Sequence, residues 1–142
     1  MKQQFINGKW CDALSGGTWK VQNPATEEII AEVPFGDDTD CNLAIEAAVN
    51  AFPSWSNLSS WTRGDILKKT SEIIRKNISE FGKETILECG KPKAEAEGEW
   101  KVAADLFEWF GEEGKRAYGR VIPTKRTDRR MQVILQPMGV IG

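Results

Sequence analysis

The chain has 142 residues, 40% of them hydrophobic, enough for one domain of ordinary size with its own core. Nineteen basic against 21 acidic residues leave a net charge of −2, which argues against nucleic acid or an anionic membrane surface as the main partner. No apolar run approaches a membrane span and the N-terminus lacks an apolar signal core, so a cytoplasmic location is expected.

The chain begins with β character. Phe5-Ile6-Asn7-Gly8-Lys9-Trp10 sets an Asn-Gly turn between apolar residues, the signature of a short hairpin. Ser15-Gly16-Gly17 is a second turn, Thr18 to Val21 alternates as a strand, and Asn23-Pro24-Ala25-Thr26 turns again. Ile29 to Pro34 is a third strand, closed by Pro34 and Gly36. A small antiparallel layer of about three strands is expected.

Four helices follow. Asp38 or Thr39 is placed to cap the first, whose Leu43, Ala44, Ala47, Ala48, Ala51 and Phe52 share a face and imply close approach to a neighbour. Pro53 is expected to end it. The second runs from about Trp61 to Asn77, with Thr62-Arg63-Gly64-Asp65 as a capping box and a seam of Ile66, Leu67, Thr70, Ile73 and Ile74. The third, from about Ser79 to Cys89, has Gly90 placed as its C-cap and Pro92 just beyond.

The fourth helix starts near Lys93, with Trp100, Ala103, Ala104, Phe107 and Phe110 on its expected buried face. Gly98 inside it implies close packing at that point. Its end is the most distinctive stretch of the chain: Phe107, Trp109 and Phe110, then Glu112 and Glu113, then Lys115 and Arg116. Acid followed by base three residues on supports a helix ending there, with Gly119 free to take the left-handed stop and Pro123 preventing resumption. Thr124 to Arg130 is polar and basic, Met131 to Leu135 reads as a strand, and Gly139-Val140-Ile141-Gly142 opens a further apolar run.

Chemistry is sparse. There is no histidine, and Cys11, Cys41 and Cys89 are far apart with no Cys-x-x-Cys, so neither a Cys/His zinc site nor a histidine triad can be built. Cys89 sits at a helix C-terminus, where the dipole disfavours a thiolate, and reads as a buried structural cysteine. Glu95, Glu97 and Glu99 read as a solvated helix face. Lys125, Arg126, Arg129 and Arg130 read as a solvated loop, with an anionic ligand as the alternative. Phe107, Trp109 and Phe110 read as a core stripe before a substrate channel. Gly90-Lys91-Pro92 ends a helix and lacks the remaining residues of a phosphate loop. No arrangement supplies nucleophile, base and oxyanion donor together.

Several separate stretches, in order, resemble the N-terminal portion of the aldehyde dehydrogenase superfamily. They are Ile6-Asn7-Gly8-Lys9-Trp10, Asn23 to Ile30, Ala44 to Trp55, and Thr85 to Pro92 followed by Glu95 to Glu99. Glu108-Trp109-Phe110, Glu112 to Arg116, Tyr118-Gly119, Asp128-Arg129-Arg130 and Val133 to Val140 are most similar to the succinate-semialdehyde dehydrogenase branch.

The resemblance implies an α/β fold of short antiparallel strands, four helices, the start of an oligomerisation arm and the start of a cofactor-domain parallel sheet. Residues 1–118 would be the strands and helices of the cofactor-binding domain, 119–136 the first part of the arm, and 137–142 the start of the first cofactor-domain strand. It implies an oxidoreductase, a homo-oligomer using NAD or NADP on a small aldehyde. There a cysteine attacks the aldehyde, hydride passes to the nicotinamide, a glutamate activates water, and backbone N–H with an asparagine side chain stabilises the oxyanion.

None of those catalytic or cofactor-binding residues matches a position in this chain, so no catalytic, cofactor or metal role is carried onto it. Because the family's fourth helix borders the substrate entrance, Val102, Ala103 and Leu106 become candidate channel-lining positions. The 142-residue chain alone is expected to be inactive. The abrupt end at Gly142 favours a fragment of a longer dehydrogenase over the alternative, a free-standing, non-catalytic interaction module or remnant that docks on full-length subunits.

Overall fold

A computed structural model of the protein describes residues 3–142. Strands β1 (Gln4–Ile6) and β2 (Lys9–Cys11) form one antiparallel hairpin, with Phe5 opposite Trp10 and Ile6 opposite Lys9. The two turn residues between them both have positive φ, 51° at Asn7 and 76° at Gly8, which suits the right-handed twist of so short a ribbon. Strands β3 (Thr18–Gln22) and β4 (Ile29–Pro34) form a second hairpin, with an irregularity at Val21/Gln22.

Among the described residues the two hairpins do not join, so the expected three-stranded layer is replaced by separate two-stranded ribbons. The turn at 13–17, closed by Gly16 N–H donating to the Ala13 carbonyl, redirects the chain before the second ribbon starts.

Helix α1 (Asp38–Ser56) is capped one residue earlier than expected. The Asp37 carboxylate accepts from Thr39 N–H at 2.8 Å and Asp40 N–H at 3.4 Å, while Asp40 Oδ2 accepts from Asp37 N–H at 3.3 Å. These two N–H bonds hold the exposed Asp37 carboxyl below its usual range. Pro53 does not end the helix. It removes one donor near the C-terminus, and the following turn still closes through Asn57 N–H to the Pro53 carbonyl.

The alanine stripe also departs from expectation. Ala44, Ala48 and Ala51 are exposed, and the end of β1 and the β1–β2 turn, Phe5 to Gly8, border a concavity over them.

Helix α2 (Ser60–Lys76) is capped by Ser59, whose hydroxyl accepts from Thr62 N–H at 3.1 Å, so the capping box expected at Thr62 is not used. Helix α3 (Ile78–Cys89) ends at Gly90, which takes the left-handed conformation at φ 66° as expected. Helix α4 (Lys93–Glu113) runs back along both.

The α2–α4 contact is made by small residues. Gly64, Ser71 and Ile74 are the buried positions of α2, and Ala96, Ala104 and Gly111 those of α4. With so little side chain between them the backbones nearly touch: a Cβ on Gly64 would lie 2.5 Å from the Gly111 carbonyl oxygen. Between α3 and α4, Phe81 and Trp100 meet with ring centroids 4.7 Å apart, and Trp100 Nε1–H donates to Thr85 Oγ1 at 2.9 Å.

Gly98 is not at a close contact. A Cβ there would have no neighbouring atom within 4 Å. Gly98→Ala is therefore expected to stabilise the protein by about 0.5–1 kcal/mol, as helix propensity alone dictates; urea unfolding would measure it.

The end of α4 differs most from its sequence reading. Phe107, Trp109 and Phe110 are exposed, because the face packed on α2 is the one carrying Ala104 and Gly111. The expected pairs do form, Glu112 with Lys115 at 3.0 Å and Glu113 with Arg116 at 2.8 Å, and a 3₁₀ turn over Gly114–Arg116 completes the exit. Gly119 is not left-handed. It lies where a Cβ would collide with the Val133 carbonyl, at the base of the third ribbon, β5 (Arg120–Ile122) with β6 (Met131–Val133).

Residues 137–142 form no strand, since a parallel strand needs a bonded neighbour and none of the described residues provides one. Cys89 is exposed rather than buried, as the last residue of α3.

Candidate functional site

A concavity lined only by apolar residues lies beside the crossing of α2 and α4. It is an open groove of about 350 Å³ lined by Leu67, Ala103, Leu106, Phe107 and Phe110. The helical repeat explains the set. Ala103, Leu106, Phe107 and Phe110 recur at the 3–4 residue spacing of one face, and Leu67 reaches them across the close Gly64–Gly111 crossing.

Of the three candidate channel positions, the groove brings Ala103 and Leu106 together. Val102 is not in its lining and lies exposed on the next face, one turn from Gly98. Periodicity places Leu67 only on the seam of its own helix, and nothing local in the sequence connects it to Leu106.

Charged side chains flank the groove without entering it. Arg75 bridges Asp105 at 2.7 Å and Glu108 at 3.0 Å, and these hydrogen bonds raise its guanidinium above the ordinary value. At the other end Lys115 lies 4.8 Å from the Trp61 ring centroid and pairs with Glu112, whose carboxyl it holds below the usual range. An apolar groove between paired ions can seat a hydrocarbon portion of a ligand but offers no nucleophile, base or oxyanion donor.

The other candidates stay apart. Cys11 is half-buried, its Sγ donating to the Gln4 carbonyl at 3.6 Å, and Cys41 is exposed. Among the described residues no group of three or more Cys, His, Asp or Glu is placed to hold a metal. Lys125, Arg126, Arg129 and Arg130 sit on the exposed loop of the third ribbon, where Arg126 is paired with Asp128 at 2.7 Å. Glu95 and Glu99 are exposed, Glu99 paired with Lys91, as a solvated helix face would be; Glu97, paired with Lys93, departs from that reading because it is half-buried against Gly82 of α3. No helix of the described residues is long and apolar enough to cross a membrane.

A dinucleotide would need free backbone N–H groups at a helix start. Here α1 is closed by its own Asp37 carboxylate and α2 by Ser59, α3 follows α2 through the shared Asn77 and carries Glu80 in its first turn, and α4 follows Pro92 and carries Glu95 in its first turn. These residues do not fit a diphosphate.

The helices and ribbons recur in known proteins. A family model described as the aldehyde dehydrogenase family matches residues 10–142. The chain belongs to the aldehyde dehydrogenase family. Over 98% of its length it is 44% identical to glutarate-semialdehyde dehydrogenase of Pseudomonas aeruginosa and 41% identical to the NADP succinate-semialdehyde dehydrogenase of Escherichia coli K12, covering 29% of each. A solved NADP-dependent enzyme of E. coli superposes with a TM-score of 0.91 at 40% identity, covering 94% of this chain and 28% of that one.

The chain thus spans under a third of the length of these relatives. The four helices and short antiparallel strands are the N-terminal part of the aldehyde dehydrogenase fold.

Proposed function

We propose that this chain is the front of a longer NAD- or NADP-dependent dehydrogenase that oxidises a small semialdehyde to the acid, with succinate semialdehyde the favoured substrate. The observation carrying this reading is the near-complete match of the chain to enzymes named for glutarate and succinate semialdehydes. In this reading residues 1–118 belong to the cofactor-binding domain, 119–136 to an oligomerisation arm and 137–142 to the first cofactor-domain strand. The enzyme is a cytoplasmic homo-oligomer. Nicotinamide binding and the reacting Cys, Glu and Asn fall to residues outside this chain, and the nicotinamide supplies the hydride acceptor.

The chain's own contribution is positional. Ala103 and Leu106 present an apolar wall, with Val102 on the adjoining face, along which the hydrocarbon part of an aldehyde would pass. The test is to purify the product of the native gene, measure its intact mass, and follow reduction of NAD and of NADP with succinate and glutarate semialdehydes. A mass several times 15.9 kDa with aldehyde-dependent reduction is expected. The 142-residue chain expressed alone is expected to reduce neither cofactor. Turnover by the short chain would overturn the assignment of chemistry to other residues. A native mass near 15.9 kDa would turn the reading to the interaction module, whose docking surface would be the exposed ridge of α4.

A further inference from the structure

We propose that Asn7 is a site of spontaneous deamidation, to aspartate and isoaspartate, whose rate is set by release of the β1–β2 hairpin from Asp40. Asn7 is exposed at the hairpin tip, and its neighbour Gly8 has no side chain and open space around it. Among the described residues no backbone hydrogen bond engages Gly8 N–H and no partner holds the Asn7 amide.

The step is an attack of the Gly8 backbone nitrogen on Asn7 Cγ. A C–N bond forms, the Cγ–amide bond breaks, ammonia carries away the displaced nitrogen, and a succinimide results. Water then opens that ring at either carbonyl. Net, one water is consumed and one ammonia released, with no oxidant or other reactant. The remaining asparagines, Asn23, Asn42, Asn50, Asn57 and Asn77, precede Pro24, Leu43, Ala51, Leu58 and Ile78, whose rings or side chains obstruct the attacking nitrogen.

Ring closure requires the Asn7 peptide to swing out of the tight two-residue turn that the Ile6–Lys9 pair imposes. The hairpin must therefore open first. Three-residue strands make that opening easy, and what opposes it is the Gln4 amide, whose Nε2 donates to Asp40 Oδ1 at 3.0 Å and to the Asp12 carbonyl at 3.3 Å, with Cys11 Sγ donating to the Gln4 carbonyl at 3.6 Å and the Phe5–Trp10 ring contact at 4.9 Å. The isoaspartyl product adds a methylene to the main chain inside the turn, which destroys the β1–β2 register and detaches the hairpin.

Peptide mapping after timed incubation of the folded protein at mildly alkaline pH tests this. The peptide containing Asn7 should gain just under one dalton and split into two isomers, several-fold faster than conversion at Asn50. Gln4→Ala, which removes the ties to Asp40 and to the Asp12 carbonyl and leaves Asp40 in place, should speed conversion several-fold in the folded protein and leave it unchanged in denaturant. Conversion at Asn7 no faster than at Asn50 would overturn the site. An equal rate for Gln4→Ala and the parent under folding conditions would overturn the gating.

Discussion

Gly64→Ala should destabilise the protein by about 2 kcal/mol, and Gly64→Val by more, in urea unfolding. The reason is geometric. A methyl at Gly64 would sit 2.5 Å from the Gly111 carbonyl oxygen and 3.0 Å from Lys115 Cε. The lysine end can move aside, but the Gly111 carbonyl belongs to α4 itself, so the helices have to separate. Separation loosens every small-residue contact along the crossing, down to Ser71 and Ala104. Helix propensity alone would make the same substitution favourable by about 1 kcal/mol. The Gly98→Ala variant isolates that term, because Gly98 has open space. One chemical change, made at two helical glycines, should therefore give opposite signs. Equal signs would refute the close crossing.

Asp40→Ala should cost about 3 kcal/mol, since hydrogen bonds to a buried carboxylate are among the stronger single contacts. Asp40 is only 4% exposed, and its oxygens accept from Gln4 Nε2 at 3.0 Å, Leu14 N–H at 3.2 Å and Asp37 N–H at 3.3 Å. It joins three segments: the first hairpin, the turn after it and the start of α1. Alanine leaves all three donors without their acceptor. Asparagine keeps one carbonyl oxygen but turns an N–H₂ toward donors, so Asp40→Asn should fall between. Accelerated amide exchange at Leu14 would locate the effect. A loss under about 1 kcal/mol would mean that water replaces the carboxylate freely.

Features governed by neighbours in sequence were legible beforehand. The Asn7-Gly8 turn, the Gly90 cap and the Glu112–Lys115 pair each depend on residues within four positions of one another. Pro53 misled because its effect depends on how near the helix end it stands, and Gly119 because its smallness serves a strand contact with Val133. Periodicity identified the aromatic face of α4 but could not say what would cover it. The face actually packed is read from Gly64, Ala104 and Gly111, which carry almost no hydrophobic signal.

The candidate groove shows the same division. Ala103 and Leu106 are one helical turn apart, and their adjacency follows from the helix. Leu67 arrives from another helix, through a contact that only the folded chain reveals.

The same geometry explains the surface. A compact monomer of this mass should expose about 7,300 Å². This chain exposes 11180 Å², because its buried apolar residues are chiefly alanines while its large side chains face outward.

The six tryptophans turn this outwardness into an optical property. Trp10, Trp19, Trp55, Trp61 and Trp109 are exposed, and Trp100 alone is half-buried, against Phe81. Emission of the isolated chain is consequently dominated by water-relaxed indoles at long wavelength, with Trp100 as a minor blue component. Any surface that settles over the ridge of α4 enters the spectrum through Trp109.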